Sequence, residues 1–474
     1  MSFLRQRVRL ELPVLAVGLI GTLVLLVSIR RELTVDSWLA LVAGRDVVTS
    51  GLPSTEKLTL WGLGRPWVDQ QWLGQVLIYG LEQLGGLRLA LLANAVWIGL
   101  AFVLAFAVGR WRGGSAESVA LVGVGTILTA LSNVTLRPQS LVYALFVVLL
   151  WLLLADARAP SRRVVFVFPL LVLWANLHGS VLLAAGLVVL YGLTEIGAAR
   201  RADAHRLLRG AALVVVAVAS IFVSPYALDL PGYYFDLLGT GQLKELSNEW
   251  QPTTLPQGWP FLILALAGVG ILGRAGHAAT AFERLAFIAM LLVGLTALRN
   301  MVWFGFLAVV ILPVLLDRIW TSEKRATKYA TFIAAAAGAA SVVVAFIYVV
   351  SRPASWFEGP YPAPAAKALK GPLSDDDTRV LADAVFPDWI LWKHPEAHGR
   401  VAFDIRYELY TEEELDTLQE LARSDVQSWR EASRGFDLIV LRVPAQRKVM
   451  RAFLSDHSSR AIYRGERVVV IKLD

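Results

Sequence analysis

The stretch LRLALLANAVWIGLAFVLAFAVG, residues 87–109, decides the fold class of this chain. It is almost wholly apolar, and a helix of about 20 such residues crosses a hydrocarbon core of roughly 30 Å. Comparable runs recur along the first 350 residues, which gives about eleven candidate spans. The further runs lie at 12–30, 117–133, 139–155, 163–177, 179–195, 207–224, 259–273, 284–298, 302–317 and 329–350.

The composition supports a protein embedded in the lipid bilayer. Of its 474 residues, 56% are hydrophobic and 18% are charged, whereas soluble domains average about 45–50% apolar and about 25% charged residues. The chain has no cysteine, which excludes a thiol nucleophile and disulfides. Its formal charge of +7 resides mostly in short loops between spans, where basic residues set membrane orientation. We therefore predict no nucleic-acid partner.

Basic residues alternate along the chain in a way that predicts its orientation. Every second interspan segment is basic, and basic loops remain in the cytoplasm. The amino terminus is then cytoplasmic, and an odd number of spans places the carboxyl terminus outside. The basic segments are residues 1–9, 110–112, 158–163, 199–209, 273–284 and 317–328.

Two domains are expected from the change in composition near residue 350. Residues 1–350 are predicted to form an all-α polytopic domain with a long first outer loop at 30–87. Residues 351–370 are predicted to be a linker, and residues 371–474 are predicted to form a small extracytoplasmic α/β domain. In the outer loop, DSWLALVAGRDVV and QQWLGQVLIYGLEQL have helical apolar spacing and are expected to lie at the membrane interface. The last segment alternates between helix-like and strand-like stretches. The helix-like stretches are TEEELDTLQELA and QRKVMRAFL, FDLIVLRV is strand-like, and RAIYRGERVVVIKL is predicted to form a hairpin.

Polar residues with useful chemistry gather on the predicted outer side. Charged groups near membrane depth are costly and usually functional. Carboxylates there suit a general base or a divalent cation, and the planar guanidinium of arginine suits phosphate. The candidates are Asp36, Asp69, Arg137, Gln139, Asn176, His178, Glu249, Trp250, Arg299 and Asn300.

Each candidate also has a purely structural interpretation. Asp36 and Asp69 precede helical stretches, and aspartate is a favoured helix cap. Arg137 precedes a proline, so it is also consistent with a helix start and a side chain that extends to the interface. His178 is followed by glycine and is more typical of a packing residue than of a metal ligand. The tryptophans are consistent with an aromatic belt.

Several motifs taken together resemble a group of bacterial polytopic membrane proteins that look like GT-C glycosyltransferases. That class contains the oligosaccharyltransferase catalytic subunit, the protein mannosyltransferases and the aminoarabinose transferase. The motifs are, in order, DSWLALVAG, GLPSTEKLT, RPWVDQQWL, LRPQS, WANLHGS, VSPYALDL, SNEWQP, LRN and WILWKHPEAHGRVAFDIRYELY, so the resemblance covers nearly the whole chain.

The resemblance implies an enzyme of the bacterial inner membrane. Such an enzyme transfers a sugar from a polyprenyl-phosphate carrier in the lipid bilayer to an acceptor at the outer face. Asp36 matches the catalytic aspartate of the first outer loop, and Glu249 is the candidate second acid. Arg137 and Arg299 are the candidates, by their chemistry, for binding the donor phosphate.

Two other functions compete with this one. The resemblance implies a histidine four residues after the loop aspartate, where this chain has Ala40. That departure favours a non-catalytic assembly subunit that binds a protein partner through its outer domain. A transporter of a lipid-linked substrate requires polar groups in both halves of the bilayer and usually an internal repeat. The polar groups here favour one face.

Overall fold

The computed structural model describes residues 19–22, 33–199, 203–239, 243–254, 256–320 and 328–474. The predicted first span, 12–30, falls largely outside these residues. In the described part the chain is mostly helical, with one small sheet near the carboxyl terminus.

The principal elements follow in chain order. The helices are α1 (Val35–Ser50), α2 (Trp72–Trp111), α3 (Ala116–Ala130), α4 (Tyr143–Arg158), α5 (Val167–Leu177), α6 (Val181–Ala198), α7 (Ala204–Ile221), α8 (Leu230–Gly239), α9 (Trp259–Ala275), α10 (Ala281–Thr296), α11 (Met301–Ile319), α12 (Lys328–Ser351), α13 (Ala363–Leu373), α14 (Pro387–Lys393), α15 (Glu412–Ala422), α16 (Val426–Ala432) and α17 (Arg447–Leu454). The strands are β1 (Val380–Ala382), β2 (Leu438–Arg442), β3 (Ser459–Arg464) and β4 (Val468–Leu473).

Seven helical segments of the described chain are long and apolar enough to cross a membrane. They include α2, α3, α4, α6, α7, α9 and α11. The predicted spans at 163–177 and 284–298 form the shorter helices α5 and α10, so the predicted count of about eleven is not established. Large apolar side chains remain exposed on several of these helices, among them Leu266 at 76%, Val215 at 65% and Ile263 at 61%. Such surfaces belong in lipid, and the chain is a multi-pass membrane protein.

The chain folds as two compact units, and the first contains Leu91–Ala227 and Glu249–Ser351. Helix α11 is buried along most of its length, as a helix that is apolar on every face must be. Trp303 on α11 packs against Tyr143 and Phe146 at 5.1 Å between ring centroids. Gly305 lets α3 approach closely, because an added Cβ would lie 2.4 Å from Oγ1 of Thr129.

Buried ion pairs join the helices at one end of this first unit. Arg112 and Arg158 both contact Glu283, at 2.6 and 3.0 Å. Asp156 accepts hydrogen bonds from Arg209 and from Tyr191. These contacts bring together loops that the charge pattern assigns to one side of the membrane, which agrees with the predicted alternation.

The second unit contains the described residues of 33–90, Leu228–Asn248 and Arg352–Asp474. Its sheet has the strand order β1-β2-β4-β3, with β1 and β2 parallel and the other pairs antiparallel. The predicted strand FDLIVLRV, the helices over TEEELDTLQELA and QRKVMRAFL, and the final hairpin are all confirmed. The first outer loop joins this unit through hydrogen bonds of 2.7 Å from Leu60 N–H to Val401 O and 3.0 Å from Trp61 N–H to Ala402 O.

Two expectations for this unit differ from the structure. Helix α1 is buried continuously from Ser37 to Gly44, so it is a packed helix rather than one lying at the membrane interface with a single apolar face. The stretch interpreted as a linker forms α13, which buries Ala365, Leu369 and Leu373. The proline content of this stretch is compatible with a helix, because a proline in the first turn of a helix costs no hydrogen bond.

Candidate functional site

An ion pair between Arg137 and Glu249 lies at the centre of the polar residues in the first unit. Arg137 precedes a helical turn that begins at Pro138, and the turn holds its side chain 3% exposed. Its Nη1 is 2.5 Å from Oε2 of Glu249, and its Nη2 donates to Oδ1 of Asn133 at 2.8 Å. Glu249 lies on a single 3₁₀ turn, and its side chain is 37% exposed.

A second guanidinium lies beside this pair. Arg299 is on the 3₁₀ turn before α11. Its Nη2 donates to Oε1 of Gln139 at 3.3 Å, and its guanidinium stacks 4.6 Å from the ring of Trp250. We call Arg137, Gln139, Glu249, Trp250 and Arg299 the arginine cluster.

The two arginines determine the charge state of their neighbours. Burial alone would raise the pKa of Glu249, but Arg137 and Arg299 outweigh it and hold that pKa below its usual range. Burial, together with the same two arginines, lowers the pKa of His178 well below its ordinary value. His178 is therefore neutral at physiological pH, and the arginine cluster keeps one net positive charge.

The two asparagine candidates make hydrogen bonds to residues outside the arginine cluster. The Asn176 side chain donates to the carbonyls of Val172 and Val223 at 2.9 and 2.8 Å. The Asn300 side chain donates to Oγ1 of Thr296 at 3.1 Å. Asn176 therefore joins helix α5 to the backbone that follows α7, and Asn300 contacts the end of α10.

Asp36 belongs to the second unit and is not the cap of its helix. Helix α1 begins at Val35 with Thr34 as its N-cap, and the Thr34 N–H donates to Oγ of Ser37. Asp36 lies in the first turn, half-buried, where the positive helix end favours a carboxylate. The neighbouring Trp38 is fully buried and packs edge-on against Tyr361 at 5.4 Å.

A buried network of acids and one arginine lies in the same unit. Nη1 of Arg406 is 2.5 Å from Oε2 of Glu56, and its Nη2 is 2.6 Å from Oδ2 of Asp404. We call these three residues the Arg406 network. Asp388 on α14 is 1% exposed, and neither of its carboxylate oxygens accepts a hydrogen bond from the described residues. Burial and the carboxylates of Asp404 and Asp36 raise its pKa well above the ordinary value.

Asp69 is buried in the second unit, and its ionisation is expected to make stability depend on pH. Burial raises its pKa to about 7, well above the ordinary value of an aspartate. The folded state therefore binds a proton that the unfolded state has released, so stability falls as pH rises from about 4 to about 7. Asp69→Asn removes this cost, and we expect it to stabilise the protein by up to about 4 kcal/mol above pH 7.5.

Thermal unfolding of the full chain in detergent at pH 5 and pH 8 checks this expectation. The stability gained by Asp69→Asn should be clearly larger at pH 8. A gain that is equal at both values, or a loss at pH 8, would show that Asp69 is held as a carboxylate.

Some residues of these clusters were not among the sequence candidates. Asn133 and Tyr143 support Arg137, since Asn133 accepts from the arginine and its carbonyl accepts from the Tyr143 hydroxyl at 2.9 Å. Arg406 and Asp404 lie in the motif RVAFDIRYELY, so the motif itself was the available signal. Glu56 lies in the motif GLPSTEKLT, but its pairing with Arg406 could not be predicted because the two residues are distant in sequence.

The described residues contain no group of three or more acidic or histidine side chains arranged to hold a metal ion. The residues present therefore do not fit a three-ligand metal centre. The divalent cation considered from the sequence stays a prediction, and no chemical step below depends on it.

Comparisons with known proteins give no match from the sequence itself. No family model matches the chain, and no curated protein matches it. Solved structures do resemble it. ArnT from Cupriavidus metallidurans in its apo state has a TM-score of 0.53 at 14% identity, and the match covers 95% of this chain and 96% of that one. The same enzyme bound to undecaprenyl phosphate gives 0.51.

Two further structures extend the likeness. The oligosaccharyltransferase AglB from Archaeoglobus fulgidus, in complex with an inhibitory peptide and a dolichol-phosphate, gives a TM-score of 0.52 at 11% identity over 90% of this chain and 69% of that one. The arabinofuranosyltransferase AftD from Mycobacteria gives 0.52 at 16% identity over 97% of this chain and 41% of that one. All of these proteins are GT-C glycosyltransferases. The chain therefore has the fold of the GT-C glycosyltransferases, as the resemblance of its sequence motifs predicts.

Proposed function

We propose that this protein is a membrane glycosyltransferase that uses a polyprenyl-phosphate sugar as its donor. The observation that carries the proposal is the pair of guanidiniums of Arg137 and Arg299, which act on the same carboxylate and the same neutral histidine. Arginine binds phosphate through two parallel donors. The net positive charge of the arginine cluster suits the single negative charge of a phosphodiester.

The proposed reaction is one displacement at the anomeric carbon of the sugar. The acceptor hydroxyl oxygen forms a bond to that carbon while the bond from carbon to the phosphate oxygen breaks. Asp36 takes the acceptor proton, and the polyprenyl phosphate leaves with the electron pair. Asp36 is chosen because the motif resemblance assigns it and because it is not used as the helix cap. Arg137 and Arg299 stabilise the negative charge that develops on the leaving phosphate.

The charge pattern of the loops supports the orientation that we propose. The arginine cluster and the second unit then face the outside of the bacterial inner membrane, and the amino terminus faces the cytoplasm. The acceptor is accordingly a molecule at the outer face, and the C-terminal domain at 371–474 is the proposed site for any protein partner.

Binding of a polyprenyl phosphate tests the role of the arginine cluster. We expect Arg299→Ala to weaken the binding of undecaprenyl phosphate by about 10- to 100-fold, because a hydrogen bond to a charged group contributes about 1.5–3 kcal/mol. Native mass spectrometry of the purified full chain, titrated with the lipid, measures the change.

Two controls make this measurement specific. Arg162→Ala removes the same charge from an exposed position and should leave binding unchanged. Undecaprenol, which lacks the phosphate, should bind the wild type and Arg299→Ala equally. Equal binding of undecaprenyl phosphate by all three proteins would contradict the proposal.

An assembly subunit is the second candidate function, and it also has an observation in its favour. Arg137 is already paired with Glu249, and Ala40 replaces the histidine that the family resemblance implies. A subunit of this kind would keep the fold and lack transfer. If Asp36→Asn and the wild type complemented a deletion strain equally well, the assembly function would be favoured.

A further inference from the structure

The phosphate ligand of the proposed glycosyltransferase changes its charge during the reaction. The donor is a phosphodiester with one negative charge. Because the proton of the acceptor goes to Asp36, the leaving polyprenyl phosphate is a monoester with a second ionisable oxygen. Its second pKa is about 6, so at neutral pH it is mostly a dianion. Substrate and product therefore differ by about one charge at the same group.

We infer that Glu249 reduces the positive charge of the arginine cluster and thereby lowers its affinity for the dianionic phosphomonoester product relative to the monoanionic phosphodiester donor. Glu249 is thereby a specificity-determining residue that disfavours retention of the product. The inference rests on the proposed function, since it takes the arginine cluster to be the phosphate site.

The position of Glu249 gives it this effect. Its carboxylate is 2.5 Å from the buried guanidinium of Arg137 and also lies in the field of Arg299. It cancels one of the two positive charges, so a monoanion neutralises the cluster and a dianion leaves an excess negative charge. At about 4 Å and an effective dielectric constant of about 20, repulsion between the Glu249 carboxylate and one ligand charge costs several kcal/mol. The second charge of the product therefore adds a repulsion that the donor does not experience.

The charge of the cluster itself is constant over the useful pH range. The groups that face Glu249 are Arg137, Arg299 and the phenol of Tyr143, and the same two arginines act on His178. Burial and the two arginines keep His178 neutral near neutral pH, and the arginines keep Glu249 ionised there. In this range the group that titrates is the phosphomonoester of the ligand. A change of preference with pH therefore reports on the charge of the ligand.

Glu249→Gln tests the inference, because it removes the negative charge and keeps the shape. The probes are undecaprenyl phosphate and its methyl ester, a phosphodiester with one charge at every pH used. With the purified full chain at pH 8, the measured quantity is the dissociation constant of undecaprenyl phosphate divided by that of its methyl ester. In Glu249→Gln we expect this ratio to fall about tenfold or more below that of the wild type. At pH 5.5, where the monoester carries close to one charge, the change should be small.

Two variants serve as controls. Glu249→Asp keeps the charge and should keep the wild-type ratio of the two dissociation constants. Glu245→Gln removes a charge from an exposed residue four positions earlier (59% exposed) and should change nothing.

The outcomes separate the inference from the proposed function. If the wild type bound neither lipid, the proposed function would be wrong. If it bound both lipids but Glu249→Gln kept the wild-type ratio of the two dissociation constants at pH 8, the inference would be overturned. Loss of both lipids in Glu249→Gln, with Glu249→Asp normal, would also overturn it, since Glu249 would then be required for binding itself.

Discussion

Asp36→Asn is expected to lower the rate of sugar transfer by about 10²- to 10⁴-fold, the usual contribution of a positioned general base. The amide has the size of the carboxylate but does not accept a proton near neutral pH. Helix α1 should be unaffected, because its cap is Thr34. Transfer of radiolabel from a polyprenyl-phosphate sugar that the wild type accepts gives the rate.

Helix α1 offers a matched control for this variant. Asp46→Asn removes the same charge nearly three turns further along the helix and should leave the rate within about twofold of the wild type. Undecaprenyl phosphate should bind Asp36→Asn and the wild type equally, which separates loss of the base from damage to the fold. A rate for Asp36→Asn close to that of the wild type would rule out Asp36 as the base.

Arg406→Met is expected to destabilise the protein by about 3–5 kcal/mol, the cost of leaving buried acids without their counter-charge. Arg406 is 5% exposed and contacts Glu56 and Asp404, which are 1% and 0% exposed. Its guanidinium also stacks 4.9 Å from the ring of Trp67, so methionine preserves part of the packing. Thermal and denaturant unfolding of the full chain in detergent measures the loss.

Two further variants serve as comparisons for Arg406→Met. One breaks an exposed ion pair, and the other removes the acidic charges of the Arg406 network. Arg65→Met breaks an ion pair with Glu414 that is 32% and 24% exposed on its two sides, and it should cost less than about 1 kcal/mol. Adding Glu56→Gln and Asp404→Asn to Arg406→Met should recover part of the lost stability, because the buried charges are then gone. If Arg406→Met cost no more than Arg65→Met, the network would not be desolvated as described.

Much of the helical structure of the first unit could be predicted from its sequence, because membrane-spanning helices are recognisable by their length and apolar composition. The helices α2, α3, α4, α6, α7, α9 and α11 all lie where the apolar runs predicted them. For the contact between Arg137 and Glu249, the sequence indicated only that both residues lie on the same face of the membrane. The alternation of basic loops predicts which loops share one face of the membrane. It does not predict which side chains on that face contact each other.

The second unit was less predictable because its important contacts join distant parts of the chain. The strands β2, β3 and β4 follow from runs of β-branched residues with turn residues between them. The ion-pair partner of Glu56, Arg406, lies 350 residues away in the sequence, and no periodic pattern in the sequence predicts such a pairing. The burial of α1 could not be predicted from its own sequence either. The residues that cover it come from helix α14 and from Tyr361, far along the chain.

The ion pairs at the other end of the first unit have a consequence for how the protein is made. Glu283 on α10 meets Arg112 and Arg158, which the ribosome has already synthesised when α10 emerges. Asp156 on α4 can pair with Arg209 only after more than 50 further residues have been synthesised. During that interval α4 carries an acid without its later partner. The junction between α4 and α7 therefore closes only after α7 has been synthesised.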